Sequence, residues 1–237
     1  MGKAVFITGT GTDIGKTVVT SFLAFAFEQM GWKTAIYKPI QTGLAEDGRS
    51  FAEQYWYETR MEQKAAGLYC MEPAVSPHFA ARLTNTTIEP KMIQQKLSEL
   101  KHQYDFVFVE GAGGLAVPLI ETEAGFYMTK DLIRDGELPI IIVSLAGLGA
   151  IHHAVTTVSY AKQHSLDVIG LVINQFDNQN AIHVDNVRTI QRLLDLPVLA
   201  KIPVLPNASK QALKELAQTW IERGEQTLLL GGLSVEV

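Results

Sequence analysis

Short apolar runs alternate with amphipathic stretches along most of the chain. Continuous runs rich in Val, Ile and Phe predict strands at Ala4–Thr8, Thr34–Lys38, Phe106–Glu110, Ile140–Ser144, Val168–Asn174 and Val198–Ile202. Runs of this kind belong to strands covered on both faces. Between the first two, Val19, Phe22, Leu23, Ala26 and Met30 recur at helical spacing, and Gly31 ends that helix. Further helices are predicted at Ile93–Gln103, Ala150–His164, His183–Leu194 and Lys210–Arg223. Strand–helix alternation with short connections predicts an α/β fold, a parallel β-sheet with helices on both faces. Residues 44–90 break the rhythm. A helix near Phe51–Thr59 is followed by Pro73, Pro77 and small residues, which reads as an irregular insertion over the site within a single domain spanning 1–237.

The 237 residues are 47% hydrophobic and 19% charged, which suits one sizeable core and is too apolar for disorder. A net charge of −5 without a basic run lacks the attraction that nucleic-acid binders use. Cys70 is the only cysteine, so an internal disulfide and a cysteine-rich metal site are excluded; it reads as a small half-buried residue. No signal peptide precedes the first strand, and no apolar run approaches the ~18–20 residues of a membrane span. The expected location is the cytoplasm, with no membrane or nucleic-acid partner.

Chemistry concentrates at the carboxyl ends of the strands. Gly9-Thr10-Gly11-Thr12-Asp13-Ile14-Gly15-Lys16-Thr17 follows the first strand and opens the first helix. Glycines let backbone N–H groups curl around phosphates, and a helix N-terminus favours the anion. Lys16 is placed to reach the β- and γ-phosphates and the Thr17 hydroxyl to ligate Mg²⁺. Thr10 stands where such loops usually begin with glycine, and Gly9 lies one residue earlier. At the end of the second strand, Lys38-Pro39-Ile40-Gln41-Thr42-Gly43 occupies the region where ligands of open α/β sheets collect. A strand-end lysine is also an ordinary solvated charge, and position alone leaves Lys38 open between the two. Phe106–Val109 end in Glu110, followed by Gly111-Ala112-Gly113-Gly114. An acid after four apolar residues is the usual second Mg²⁺ element of a P-loop enzyme. Asn174 and the Ile202–Pro206 segment are weaker signals beside a nucleotide base, since Asn and Pro are common at strand ends.

Taken in order, these segments resemble the dethiobiotin synthase family. The resemblance rests on the phosphate loop with Asp13, on Lys38-Pro39 with Thr42-Gly43, and on Ser76-Pro77-His78. It continues through Glu110–Gly114 to Pro118-Leu119, then Gly147-Leu148-Gly149, Asn174 and Ile202-Pro203. It implies a P-loop NTPase fold and closure of a ureido ring on 7,8-diaminononanoate from CO₂ and ATP, with Mg²⁺, in a homodimer. Carried onto this sequence, it makes Lys38 and Lys16 catalytic, and assigns the diamine or its carbamate to Thr42, Thr12 and His152. The nucleotide falls to Asp13, Ile14, Gly15, Lys16, Thr17, Val18, Glu110, Gly111, Ala112, Gly113, Asn174, Gln175, Pro203, Val204 and Leu205. Thr17 and Glu110 hold the metal. Two departures stand out. Phe51 occupies the position of a family Asp, with Asp47 and Glu53 the nearby acids. His152-His153 replaces Asn-His in a region that the family uses across its dimer interface. The main rival is a partitioning-type switch ATPase that dimerises on ATP and binds a partner. Those proteins resemble this chain in fold, but carry an early lysine in the phosphate loop and often a basic terminal helix, both lacking here. An amide-forming ligase of the cobyrinic-acid type would need a glutaminase domain and a catalytic cysteine.

Overall fold

The computed structural model describes residues 1–206 and 208–235. Seven strands form one parallel sheet. They are β1 (Lys3–Gly9), β2 (Thr34–Thr42), β3 (Ala65–Met71), β4 (Phe106–Gly114), β7 (Ile140–Ser144), β8 (Val168–Ile173) and β9 (Val198–Lys201), in the order β3-β2-β4-β1-β7-β8-β9. Between β4 and β7, β5 (Pro118–Thr122) and β6 (Gly125–Met128) make an antiparallel hairpin. The helices are α1 (Lys16–Gln29), α2 (Ala52–Tyr55), α3 (Pro77–Thr84), α4 (Pro90–Gln103), α5 (Thr129–Asp135), α6 (Ala150–Gln163), α7 (Ala181–Leu194), α8 (Lys210–Glu222) and α9 (Gln226–Gly232).

Alternation along the strands splits the core into two layers. On β1, Ala4 and Phe6 face one cluster with α4 to α7, while Val5 and Ile7 face a second with α1, α8 and α9. The central strands are therefore apolar over most of their length, and buried polar residues such as Thr8, Lys38, Glu110 and Ser144 fall from their midpoints onward, toward the carboxyl ends. α1 is sandwiched between the sheet and α8, with Phe22, Phe25 and Phe27 buried and Phe22 edge-on to Trp220 at 5.4 Å. Each such side chain contributes about 1.5–3 kcal/mol by leaving water. The C-terminal segment packs as α9 against β8 and β9, burying Leu229 and Leu230.

Pro39 lies within β2, where a missing N–H normally breaks a ladder. It is tolerated because pairing with β4 stops at Tyr37, and β3 pairing skips from Lys38 to Ile40. The irregular reading of 44–90 needs correction for β3, which extends the sheet at its edge beside β2. Its residues are mostly half-exposed and include no Val, Ile or Phe, the residues that mark the other strands, and Cys70 on it is exposed rather than half-buried. The helix expected near Phe51–Thr59 is α2, which widens into a π-helical turn at Trp56–Arg60. No helix among the described residues is long and apolar enough to cross a membrane.

Candidate active site

Residues 10–15 turn the chain from β1 into α1. Asp13 (φ 56°) and Gly15 (φ 87°) adopt left-handed backbone there. A Cβ on Gly15 would lie 2.0 Å from the Asn174 amide nitrogen, so the close approach of β8 admits only glycine. That same amide donates to the Ile14 carbonyl at 2.9 Å, tying the loop to the end of β8. Lys16 is buried, and its ammonium donates across the loop to the Gly11 carbonyl at 3.2 Å.

Lys38 is 1% exposed. Its Nζ lies 2.8 Å from Glu110 Oε1 and 2.9 Å from Glu53 Oε1, and donates to the Gly111 carbonyl at 3.1 Å. Burial opposes charge on Lys38, but the attraction of Glu110 and Glu53 outweighs it and holds the pKa above that of free lysine. Burial lowers the pKa of Lys16, the Lys38 charge lowers it further, and Glu110, Glu53 and Asp13 only partly compensate. Glu110 Oε1 also accepts from Thr17 Oγ1 at 3.1 Å, while the fully buried Tyr57 hydroxyl donates to Oε2.

A cavity of about 700 Å³ opens over this cluster. Thr12, Asp13, Gly15, Lys16, Thr17, Lys38, Thr42, Glu53, Glu110, Ala112 and Gly113 line it, with Ser76 and Pro77 at the start of α3. Two lysines and three acids thus face one space beside the phosphate loop. Other residues singled out in the sequence lie elsewhere. Ile14 and Gln175 border a neighbouring cavity of about 330 Å³ with Thr10, Ser144, His153 and His183. Pro203 and Val204 line a third, and Leu205 a fourth. Gly111 turns its carbonyl to Lys38, and Val18, on the first turn of α1, packs partly buried against the core. His152 is exposed on the first turn of α6 and borders neither of the first two cavities.

Of the acids near Phe51, Glu53 reaches the site and Asp47 does not. Asp47 is exposed and accepts from the backbone N–H groups of Arg49 and Ser50. Phe51 itself precedes α2 in extended backbone and pairs with Leu44. Tyr57 is the residue that sequence reasoning missed. Its signal was the four-residue spacing from Glu53, which puts both on one helical face.

Among the described residues there is no group of three or more His, Cys, Asp or Glu side chains able to hold a metal by itself. Thr17 Oγ1 and Glu110 Oε1 are 3.1 Å apart. Adjacent oxygens on an octahedral Mg²⁺ with ~2.1 Å bonds also lie about 3 Å apart, and Mg²⁺ usually takes its other ligands from water and phosphates. The pair fits such an ion.

A family model described as an AAA domain matches residues 3–212. The chain is 64% identical over 231 residues to the ATP-dependent dethiobiotin synthetase BioD of Geobacillus sp. (strain WCH70), covering 97% of each. It belongs to the dethiobiotin synthetase family. The synthetase of the same name from Geobacillus kaustophilus (strain HTA426) is 57% identical over 238 residues, covering 100% of both chains. Solved structures share the fold. The septum site-determining protein MinD from Pyrococcus horikoshii, complexed with Mg-ADP, superposes with a TM-score of 0.59 at 18% identity, covering 99% of this chain and 95% of that one. Cobyrinic acid a,c-diamide synthase from Mycobacterium smegmatis, with bound ADP and magnesium, gives a TM-score of 0.56 at 14% identity, covering 95% and 96%. At such identities the likeness is one of fold, and the partitioning-type reading rests on nothing more.

Proposed function

We propose that this chain makes dethiobiotin from 7,8-diaminononanoate, CO₂ and ATP, releasing ADP and phosphate. The observation that carries the reading is the convergence of Lys16, Lys38, Thr17 and Glu110 on one cavity directly beside the phosphate loop. The near-full-length identity to dethiobiotin synthetases supports the same substrates.

One amine nitrogen attacks CO₂ and loses a proton, giving a carbamate. A carbamate oxygen then attacks the γ-phosphorus, and ADP leaves with the bonding electrons. The second amine attacks the carbonyl carbon of the mixed anhydride, phosphate departs, and the five-membered ureido ring closes. The carbamate and the γ-phosphate are both anionic, so bringing them together is the principal electrostatic barrier. Lys38 stays cationic because Glu110 and Glu53 hold its proton; it therefore serves the carbamate as a fixed positive charge and not as a base. Lys16, folded over the loop, faces the γ-phosphate from the other side. Thr42 and Thr12, both on the cavity wall, orient the diamine. Asp13, Gly15, Ala112 and Gly113 border the nucleotide side of this cavity. Asn174, Gln175 and Pro203–Leu205 at the ends of β8 and β9 are assigned to the base, which then spans the neighbouring depressions. Thr17 and Glu110 would hold Mg²⁺, which would supply positive charge to offset that of the phosphates. The working unit is taken as a homodimer in which His152 serves the diamine carboxylate of the neighbouring subunit.

The purified protein with the diamine, bicarbonate, Mg²⁺ and ATP is expected to form dethiobiotin, detected by chromatography against a standard. ATP hydrolysis that ignores the diamine, with no dethiobiotin, would instead favour the switch ATPase.

A further inference from the structure

Glu110 uses its two oxygens differently. Oε1 meets Thr17 and Lys38 on the cavity side. Oε2 turns inward to a single hydroxyl, that of Tyr57, whose ring is fully buried. The residue sits on the π-helical turn Trp56–Arg60, a widened turn that is rare in helices and concentrates at functional sites. The turn is fixed to α1 by its neighbours, since Trp56 Nε1 donates to Ser21 Oγ at 3.1 Å. A wider turn at this place delivers the hydroxyl to the far side of a carboxylate that belongs to the central strand β4.

We propose that Tyr57 is a positioning residue that fixes the Glu110 carboxylate, leaving Oε1 alone to face the metal and the γ-phosphate. This rests on the proposed function, because it concerns the Thr17–Glu110 pair that receives Mg²⁺. A carboxylate with one oxygen sealed by a buried donor neither rotates nor chelates through both oxygens. Mg²⁺ demands near-ideal octahedral geometry, so a fixed single oxygen suits it. Losing the hydroxyl leaves Oε2 buried without a partner and frees the group to swing.

Tyr57→Phe retains the ring and removes only the donor. Binding of Mn²⁺ with ADP, followed by electron paramagnetic resonance, is expected to weaken about 10–100-fold, the usual effect of losing a group that orients a metal ligand. In a Glu110→Gln background the same substitution is expected to weaken Mn²⁺ no further. Trp56→Phe, which loses the adjacent anchor to Ser21 without touching Glu110, serves as the control for simple loosening of the turn. Unchanged Mn²⁺ affinity in Tyr57→Phe, or equal losses in Tyr57→Phe and Trp56→Phe, overturns the inference. A second measurement needs no substitution at Tyr57, should that variant fold poorly. In protein carrying 3-fluorotyrosine, Mg²⁺ with ADP is expected to shift one tyrosine ¹⁹F resonance, and Glu110→Gln to abolish that shift; no shift in the unsubstituted protein overturns the inference. Dethiobiotin formation by the unsubstituted protein is measured alongside. Its failure would reject the function, whereas an active enzyme with an indifferent Tyr57→Phe rejects only the positioning role.

Discussion

Two lysines face one cavity, and burial acts on them with different outcomes. Lys38 lies between two carboxylates and keeps a raised pKa, whereas for Lys16 burial and the Lys38 charge outweigh the nearby acids and lower it. Lys16 thus gains most from the arrival of a triphosphate, which supplies the anion it lacks. Lys16→Ala should lower turnover by about 10²–10³, the typical effect of removing one transition-state charge stabiliser; near-normal turnover in a folded variant would sink the phosphate-loop assignment. Lys38→Ala should abolish product yet leave nucleotide binding intact, measured by calorimetry with ADP. It should also lower the melting temperature at pH 7. A folded pKa above the free value of 10.5 means that the Lys38 pairing stabilises the protein fully at pH below that value, and less as pH rises through the folded pKa. Collapse of nucleotide affinity with intact diamine binding would show that Lys38 serves the other ligand. Position at a strand end left Lys38 undecided between surface charge and active group. What excludes the surface charge is burial between a partner pair from β4 and α2, and such convergence of distant segments is invisible along the chain.

At the scale of elements, the phosphate loop depends on how closely β8 approaches it. Gly15→Ala places a methyl group against the Asn174 amide and forces a non-glycine residue to φ 87°. Left-handed strain alone costs on the order of 1–3 kcal/mol, so ATP affinity should fall roughly tenfold or more, since each 1.4 kcal/mol is a factor of ten. Wild-type affinity in Gly15→Ala would mean that the loop tolerates displacement of Asn174. The central strands were legible because both faces are covered and most positions must be apolar; β7 spans Ile140–Ser144 as its run predicts. Strands that lack one covered face were not legible. β3 lies at the sheet edge, and the β5–β6 hairpin carries exposed and half-exposed residues such as Phe126 and Tyr127. Phe51–Thr59 was read as helical from its pattern, but nothing in a periodicity foretells a turn that widens at Trp56 to carry Tyr57 onto Glu110. The four-residue spacing of Glu53 and Tyr57 marks a shared face, but what that face meets is set by packing against α1 and β4.

For the whole molecule, the cavity beside the phosphate loop is built from one chain, while His152, exposed on α6, does not line it. In a twofold dimer a residue that leaves its own site is available to the neighbour's. Lys38→Ala and His152→Ala proteins, each impaired at low diamine concentration, should therefore complement when mixed and reassorted. Random reassortment makes about half the dimers mixed, each with one intact site of two, so about a quarter of wild-type activity is expected. Absence of any recovery in demonstrably mixed dimers would leave His152 as a surface residue of its own helix. The central claim is that γ-phosphate transfer from ATP is spent on fixing CO₂ into a ring. Supplying ¹³C-bicarbonate with the diamine, Mg²⁺ and ATP, and quantifying ADP and product by mass spectrometry, tests it directly. Dethiobiotin carrying one ¹³C at the ureido carbon is expected, formed in step with ADP and dependent on the diamine. ADP released at the same rate without diamine, and no labelled product with it, would contradict it.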